Sequence, residues 1–220
     1  MGRPIGFPAG NDRLSSALLS DALDQAGIYN QAMGPQIRPL DGDLQLCGRA
    51  RTGMYIEVAQ VTEGRNPYEL EIELVDQLEA GDVAVLGCGG SRKIAPWGGL
   101  LSTASHVKGG AGCITDGFVR DTKQIRALAF PVFHGGIAPL DSRGRGEVRE
   151  IDVPVICAGV RVAPGDLVFG DCDGVVVVPQ AFEDVVFAYA MAKLQGEIDT
   201  LSELRSGKSL RDVFARYGIL

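Results

Sequence analysis

Two short segments of the sequence carry residue types that could bind a metal ion and an anion. In the first, TDGFVRDTKQ at residues 115–124, Arg120 stands directly before Asp121. A guanidinium can bind a carbonyl or carboxylate oxygen, and a carboxylate is a hard oxygen ligand for Mg²⁺ or Mn²⁺. Asp121 also has a structural interpretation, because Gln124 follows it at the spacing of a variant capping box, so that Asp121 could simply cap a helix. Both interpretations are open at this point.

The second segment is rich in glycine. GCGGS at residues 87–91 is followed by PWGGLL at residues 96–101. A helix that begins in PWGGLL would present unpaired amides at the positive end of its dipole, where a carboxylate or phosphate could bind. The amides concerned are those of Gly98, Gly99, Leu100 and Leu101. The alternative is that Pro96 and the glycines only shape a turn that leads into a buried helix.

The elements around these segments alternate between apolar strands and short helices. Hydrophobic spacing predicts helices at 12–27, 67–78, 97–108 and 121–128. Apolar and β-branched runs predict one or two strands in 44–61 and single strands at 83–87, 112–115 and 131–135. This alternation is typical of right-handed crossover units in a parallel sheet, which binds ligands beyond the carboxyl ends of its strands. Both segments follow such ends.

The last third of the chain has a different pattern. Short β runs begin at Val153, and Asp173-Gly174 between two of them predicts a hairpin. Helices are predicted at 180–204 and 209–217. We therefore expect one α/β domain over residues 1–220 that ends in a C-terminal helical arm, at about 180–220, which either packs within the subunit or contributes to an interface.

Composition excludes several classes of function. The chain has 220 residues, with 21 Lys and Arg against 28 Asp and Glu, a net charge of −7, and scattered arginines, so we expect no nucleic-acid partner. Neither an apolar run of membrane-spanning length nor a secretory signal is visible, which predicts a cytoplasmic protein with no membrane partner. Its five cysteines include no CxxC pair, which argues against a disulfide framework and a thiolate zinc site.

Familiar motifs fail at single residues. A dinucleotide-binding loop would need glycine where Arg92 stands, a P-loop would need glycine at Ser202, and a calcium loop starting at Asp171 would need glutamate at Phe182. The two histidines, His106 and His134, are predicted to be structural or surface residues.

The run GDVAVLGCGGSRKIAPWGGLLSTASHVKGGAGCITDGFVRD, residues 81–121, resembles a known family. This RraA-like family includes the regulator of ribonuclease activity A and the class II pyruvate aldolases acting on 4-hydroxy-4-methyl-2-oxoglutarate and 4-carboxy-4-hydroxy-2-oxoadipate. The resemblance extends from the first helix to DGVVVVP at residues 173–179 and is most specific where the glycine loop, the tryptophan-glycine and DGxxRD follow one another.

The resemblance implies a swivelling β/β/α domain that assembles as a homotrimer or homohexamer. It implies that Asp121 holds a divalent metal ion with waters, and that Arg120 contacts the pyruvyl carbonyl and the enolate. The amides of Gly98 to Leu101 would grip the pyruvate carboxylate. A glutamate from the C-terminal helix of a neighbouring subunit would complete the site, and Glu197 is the candidate here.

The implied activity is that of a carbon–carbon lyase. A 2-oxo acid substrate would undergo retro-aldol cleavage to pyruvate, with oxaloacetate decarboxylation as a side activity, because both reactions pass through an enolate. Catalysis through a lysine Schiff base and a small-molecule sensor without turnover are weaker alternatives.

The main alternative is a non-catalytic regulator that binds a ribonuclease or helicase. Regulators can lack the metal-binding aspartate, so Asp121 favours an enzyme. Gly99, however, stands where the aldolases commonly have an acidic residue, and Asp116 is a conceivable substitute for it.

Overall fold

The computed structural model describes residues 14–219, and a mixed eight-stranded sheet forms its centre. The strands are β1 Arg38–Pro39, β2 Leu46–Glu57, β3 Asp82–Gly87, β4 Gly112–Thr115, β5 Val132–His134, β6 Gly146–Ile151, β7 Val155–Cys157, β8 Val160–Val162, β9 Leu167–Gly170 and β10 Val175–Val178. The helices are α1 Ser16–Gln25, α2 Glu69–Asp76, α3 Gly99–Val107, α4 Thr122–Ala127, α5 Glu183–Arg205 and α6 Leu210–Tyr217.

Four neighbouring strands of the sheet are parallel, as the alternating pattern predicts. They lie in the order β5-β4-β3-β2, with Val83 opposite Gly112 and Thr115 opposite His134. The remaining strands are antiparallel: β1 pairs with β5, β9 and β6 pair with β2, and β10 pairs with β9. The sequence did not predict β1 or β6, and the region 44–61 forms one strand rather than two.

The parallel strands β3, β4 and β5 are buried on both faces, which explains their largely apolar runs, whereas burial alternates along β2. Side chains alternate across β3, so Val83 and Val85 pack in one cluster with the β7–β8 hairpin, while Ala84 and Leu86 pack in another with α2, α3 and α4. α2, α3 and α4 therefore lie against one face of the parallel strands. The loops at the carboxyl ends of these strands open on that side.

The hairpin predicted at Asp173-Gly174 is present as β9 and β10. The helical arm is also confirmed, as a 3-10 turn at Gln180–Phe182 followed by α5 and α6. Its first half packs within the subunit, because Val186 and Ala190 of α5 are fully buried in the cluster that α1 forms.

Other apolar residues of the arm, among them Val185 and Leu201, stay exposed, so its use as an interface remains a prediction. Residues 12 and 13 of the first predicted helix lie outside the described residues. Within residues 14–219, no helix has both the length and the hydropathy needed to cross a bilayer.

Candidate functional site

The two segments that the sequence singled out lie side by side. Trp97 and Val119 form a parallel bridge, and the Arg120 amide donates to the Trp97 carbonyl at 3.0 Å. Trp97 itself is fully buried, and its Nε1 donates to Ser102 Oγ at 2.8 Å, which fixes the start of α3. The loop after β4 is therefore tied by its backbone to the entrance of α3.

Asp121 occupies the position before α4 in an unusual backbone conformation. Its φ of 58° and ψ of 32° lie in the left-handed region, which aspartate tolerates better than most residues. Its carboxylate makes no capping bond to α4, so the capping-box interpretation is wrong. Asp121 Oδ2 instead accepts from the Gly99 amide at 3.1 Å. The carboxylate therefore lies at the start of α3.

Gly98 makes this approach possible because it lacks a side chain. A Cβ at residue 98 would lie 2.8 Å from Asp121 Oδ2 and 3.1 Å from Arg120 Cγ, distances that force the neighbours to move. The glycine therefore lets both side chains of the pair pack against the backbone.

The Arg120 guanidinium lies between two carboxylates. Its Nε is 3.8 Å from Asp121 Oδ2, its Nη1 is 3.7 Å from Asp141 Oδ2, and Nη1 also donates to the Leu140 carbonyl at 3.4 Å. The side chains of Arg120 and Asp121 are 39% and 44% exposed, so both remain open to a ligand.

A cavity of about 310 Å³ opens beside this pair. One wall consists of residues 95–98 with Leu100 and Leu101 at the start of α3, and the opposite wall consists of Tyr68, Glu71 and Ile72 on and before α2. Arg120, Asp121, Asp141 and Ser142 complete the lining. The size and the mixture of apolar surface with a few polar groups suit a small organic acid.

Sequence reasoning missed Glu71, which the structure places in this cavity. Glu71 Oε2 accepts from the buried Tyr55 hydroxyl at 2.8 Å. Burial raises the pKa of the Glu71 carboxyl to about 7, an effect that the Tyr55 bond opposes. The signal was present in the sequence, because Glu71 shares its helical spacing with Leu74, Val75 and Leu78 on the buried face of α2.

Asp141 and Tyr68, also missed, form a second contact in the cavity. The Tyr68 hydroxyl donates to Asp141 Oδ2 at 2.9 Å. Although burial opposes it, this bond together with backbone amides and Arg120 lowers the pKa of Asp141, so this carboxylate is ionised at neutral pH.

The amides at the start of α3 are divided between two uses. The first intrahelical bond runs from the Ser102 amide to the Gly98 carbonyl at 3.1 Å, so the amides of Gly99, Leu100 and Leu101 precede the helical ladder. Asp121 takes the Gly99 amide. The amides of Leu100 and Leu101 have no acceptor within α3, and both residues line the cavity.

The glycine loop at residues 87–91 does not line the cavity. The buried Asp116 carboxylate holds it in place by accepting from the amides of Cys88 at 2.6 Å and Gly90 at 2.9 Å, and from that of Ala158 at 3.2 Å. Asp116 is therefore occupied by backbone amides and does not replace an acid at residue 99.

The space beside Gly99 is filled by a different side chain. A Cβ at residue 99 would overlap Gln124 Oε1 and lie 3.2 Å from Asp121 Cβ. An acidic residue at this position would require Gln124 to move. The Gln124 side chain therefore occupies the space that the acidic side chain of the aldolases would need.

Glu197 lies on α5, and it is not among the residues that line the cavity of its own subunit. Lys193 Nζ is 4.0 Å from Glu197 Oε1 and also bonds Asp21 on α1. A single chain therefore does not bring Glu197 to Asp121, and its contribution from a neighbouring subunit stays a prediction.

The other ionisable candidates also lie elsewhere. His106 is at the exposed end of α3, and His134 is buried, which lowers the pKa of its imidazole. Of the five lysines, Lys123 lines a shallower groove beyond Arg120 and Asp121, and none lines the cavity. All five cysteines are free.

Within residues 14–219, Asp171, Cys172 and Asp173 form a cluster of three potential metal-ligating groups. Asp171 already accepts from the Ser16 amide at 2.7 Å and the Ser16 hydroxyl at 2.6 Å. It therefore ties the β9–β10 hairpin to the start of α1.

Comparisons with known proteins identify a family for this chain. The RraA-like family model, described as Aldolase/RraA, matches residues 16–177. A Halalkalibacterium halodurans protein named "Putative 4-hydroxy-4-methyl-2-oxoglutarate aldolase" is 35% identical over 180 residues, 82% of this chain and 80% of that protein. A Thermus thermophilus protein named 4-hydroxy-4-methyl-2-oxoglutarate aldolase is 32% identical over 133 residues, 60% of this chain and 79% of that protein.

A solved structure from Streptomyces coelicolor is also similar, with a TM-score of 0.75 and 31% identity over 88% of this chain and 94% of that chain. It is described as an unusual member of the RNase ES inhibitor RraA protein family. Sequence and fold thus both lead to one family, whose members have names of two kinds, enzymes and regulators.

Proposed function

Because the chain belongs to the Aldolase/RraA family, we propose that it is a carbon–carbon lyase, a divalent-metal-dependent pyruvate aldolase. Its substrates are 4-hydroxy-2-oxo acids, the class that includes 4-hydroxy-4-methyl-2-oxoglutarate and 4-carboxy-4-hydroxy-2-oxoadipate, and oxaloacetate decarboxylation is a side activity. The observation that carries the proposal is the Arg120–Asp121 pair, held open to a cavity beside the first amides of α3.

The start of α3 supplies the site for the substrate carboxylate. The amides of Leu100 and Leu101 point out of the helix end with no acceptor inside it, and the helix dipole favours an anion there. Gly98 and Gly99 add no side chain that would obstruct this approach. The 2-oxo group of the bound acid then lies next to the Arg120–Asp121 pair.

Arg120 acts on the charge that develops during cleavage. The C3–C4 bond of the substrate breaks, the C4 hydroxyl loses its proton to leave an aldehyde or ketone, and the electron pair remains on the three-carbon fragment as an enolate that takes up a proton at C3. A fixed guanidinium next to the 2-oxo oxygen stabilises that negative charge without reorganisation. Its contacts with Asp121 and Asp141 hold it in position.

The residues present fit a hard divalent cation such as Mg²⁺ or Mn²⁺. Three carboxyl groups and one guanidinium line the cavity, so the wall carries excess negative charge, and Mg²⁺ is commonly held by one or two carboxylates with waters. Asp121 would hold the ion, with Glu197 of a neighbouring subunit in a homotrimer or homohexamer. When bound, the ion supplies positive charge to the substrate's carboxylate and 2-oxo oxygens.

Proton exchange at the pyruvate methyl group tests the proposal directly, because it needs only the enolate-forming half of the reaction. In D₂O with Mg²⁺ we expect the protein to exchange the C3 protons of pyruvate, measured by proton NMR, and to release pyruvate from oxaloacetate. Excess chelator should stop both reactions. Exchange at the uncatalysed rate with Mg²⁺ and with Mn²⁺ would overturn the proposal, and equal rates with and without chelator would remove its metal component.

A second candidate function is a regulator that binds a ribonuclease or helicase. Gly99 favours it, because the acid of the aldolases is absent and Gln124 fills the space. The net charge of −7 suits docking on a basic, RNA-binding partner. Inhibition of a ribonuclease by the wild type and equally by a variant without Asp121, together with no pyruvate exchange, would establish this candidate instead.

A further inference from the structure

The cavity has two ends of different chemistry, and the second end bears on which substrate it accepts. The first end, at Asp121 and the start of α3, would bind the pyruvyl part that all substrates of the proposed class share. The second end lies across Arg120 from Asp121 and is formed by Tyr68, Glu71 and Asp141. Substrates of the class differ in the group on C4, which must face this second end.

The side chains that line the second end offer hydrogen-bond acceptors, and the nearby Arg143 and Arg145, which act on Tyr68 and on the Asp141 carbonyl, are not part of the lining. Asp141 Oδ2 is 3.7 Å from Arg120 Nη1, and Glu71 Oε2 accepts a hydrogen bond from the buried Tyr55 hydroxyl. Among the residues that line the cavity, Arg120 is the only cation, and it already lies between Asp121 and Asp141. A second carboxylate on the substrate would meet two carboxyl groups here, whereas hydroxyl groups could donate to both.

We infer that Glu71 and Asp141 determine specificity, and that they select 4-hydroxy-2-oxo acids whose far end carries hydroxyl groups over those whose far end carries a carboxylate. The inference rests on the proposed function and narrows its substrate class. Repulsion of a carboxylate by like charges, together with attraction of hydroxyls, is one way in which a site separates substrates of similar size.

Glu71 makes this selection dependent on pH. Its pKa of about 7 means that it repels a carboxylate above that pH and is largely neutral below it. The groups that act on this pKa are Tyr55, Asp141 and Arg120. Titratable groups on the elements packed against α2 are Cys47, Arg49, Arg51, Tyr55 and Glu57 on β2, Glu147, Arg149 and Glu150 on β6, and His106 on α3.

Two synthetic substrates that differ at one carbon test the inference. 4,5-Dihydroxy-2-oxopentanoate ends in a hydroxymethyl group and yields pyruvate and glycolaldehyde, whereas 4-hydroxy-2-oxoglutarate ends in a carboxylate and yields pyruvate and glyoxylate. At pH 8.5 with Mg²⁺ we expect kcat/KM to be about tenfold higher for the first substrate. Repulsion between the carboxylate of the second substrate and the adjacent Glu71 and Asp141 carboxylates costs at least that factor. At pH 6 the ratio should shrink severalfold.

The Glu71→Gln variant keeps an acceptor for Tyr55 and removes the charge. It should raise kcat/KM for 4-hydroxy-2-oxoglutarate severalfold at pH 8.5 and abolish the pH dependence of the ratio. Glu73→Gln is the matched control, because Glu73 is exposed on the same helix, bonds only Gln77 among the contacts described, and does not line the cavity. It should leave the ratio unchanged.

Failure of the inference and failure of the proposed function give different results. Absence of C3 exchange in pyruvate removes the proposed function, and the inference with it. If C3 exchange occurs, three results overturn the inference and leave the proposed function standing. They are cleavage of the carboxylate substrate that is equal to or faster than that of the hydroxyl substrate, cleavage of neither compound, and a kcat/KM ratio that Glu71→Gln does not change.

Discussion

Asp116 and Asp121 flank the same four-residue segment after β4, yet their carboxylates have very different surroundings. Asp116 is 8% exposed and accepts from three backbone amides, whereas the Asp121 side chain is 44% exposed and accepts from one. A carboxylate surrounded by backbone donors has little capacity left for a ligand, and one with a single donor retains it. Residue type alone therefore does not identify a candidate metal ligand. The number of carboxylate acceptor positions that backbone amides leave free must also be known.

The largest effect should come from removing the charge at Asp121. Asp121→Asn keeps the shape and tolerates the left-handed backbone, which alanine would not. We expect pyruvate exchange to fall by about a thousandfold, because the ion and its several kcal/mol of charge stabilisation are lost. The melting temperature should stay within about 2 °C of the wild type. Exchange at the parent rate would show that this carboxylate has no role in the chemistry.

Asp116→Ala should have the opposite effect, a loss of stability with little change in Mg²⁺ binding. Three buried amides would lose their acceptor, at about 1 kcal/mol or more each, so we expect unfolding in urea to become easier by about 3 kcal/mol. The Mg²⁺ concentration that gives half-maximal exchange should remain that of the wild type in the fraction that stays folded. A stable variant that binds Mg²⁺ poorly would assign Asp116 to the metal instead.

The charge of Glu71 changes with pH, so its effect on stability can be measured by comparing two pH values. Its folded pKa of about 7 lies above the ordinary 4.5, so the folded state binds the extra proton between these values and stability falls as pH rises through them. Glu71→Gln removes this penalty. We expect it to stabilise the protein by up to about 3 kcal/mol at pH 8 and by almost nothing at pH 4.5. Denaturant unfolding at both pH values checks this, and equal gains at both would contradict the raised pKa.

The smallest effect concerns Gly98, which supports the pair from the side. Gly98→Ala would place a Cβ 2.8 Å from Asp121 Oδ2, so the carboxylate must move by a few tenths of an ångström. Because a small misplacement weakens both metal binding and charge stabilisation, we expect exchange to fall about tenfold. Stability should change by about 1 kcal/mol. Gly42→Ala, in open space on an exposed turn with no left-handed φ, serves as a control for a glycine away from the cavity.

Much of the fold could be predicted because its signals are local. β4 lies at the predicted residues, and the helix at 97–108 is observed as α3 with Gly98 before it. The antiparallel strands β1 and β6 could not be predicted, since two- to six-residue segments in turn-rich regions become strands only through the partners that β5 and β2 offer.

The candidate site divides in the same way. Residue types and spacing were enough to select Arg120, Asp121 and the start of α3, and resemblance gave them roles. The sequence could not show that Gln124 fills the space beside Gly99 or that Asp116 is already satisfied, because both depend on contacts between separate segments.

What the sequence alone determined is most of the helices and strands and the family, since hydrophobic period, turn residues and the run from 81 to 121 are properties of neighbouring residues. Only the tertiary structure decided which carboxyl groups face a common cavity. Glu71 and Asp141 are 70 residues apart in the chain, and they line one cavity with Arg120 only because α2 packs beside β6 and Tyr68, just before α2, bonds Asp141. Electrostatic interactions depend on distance through space, which the order of residues does not give.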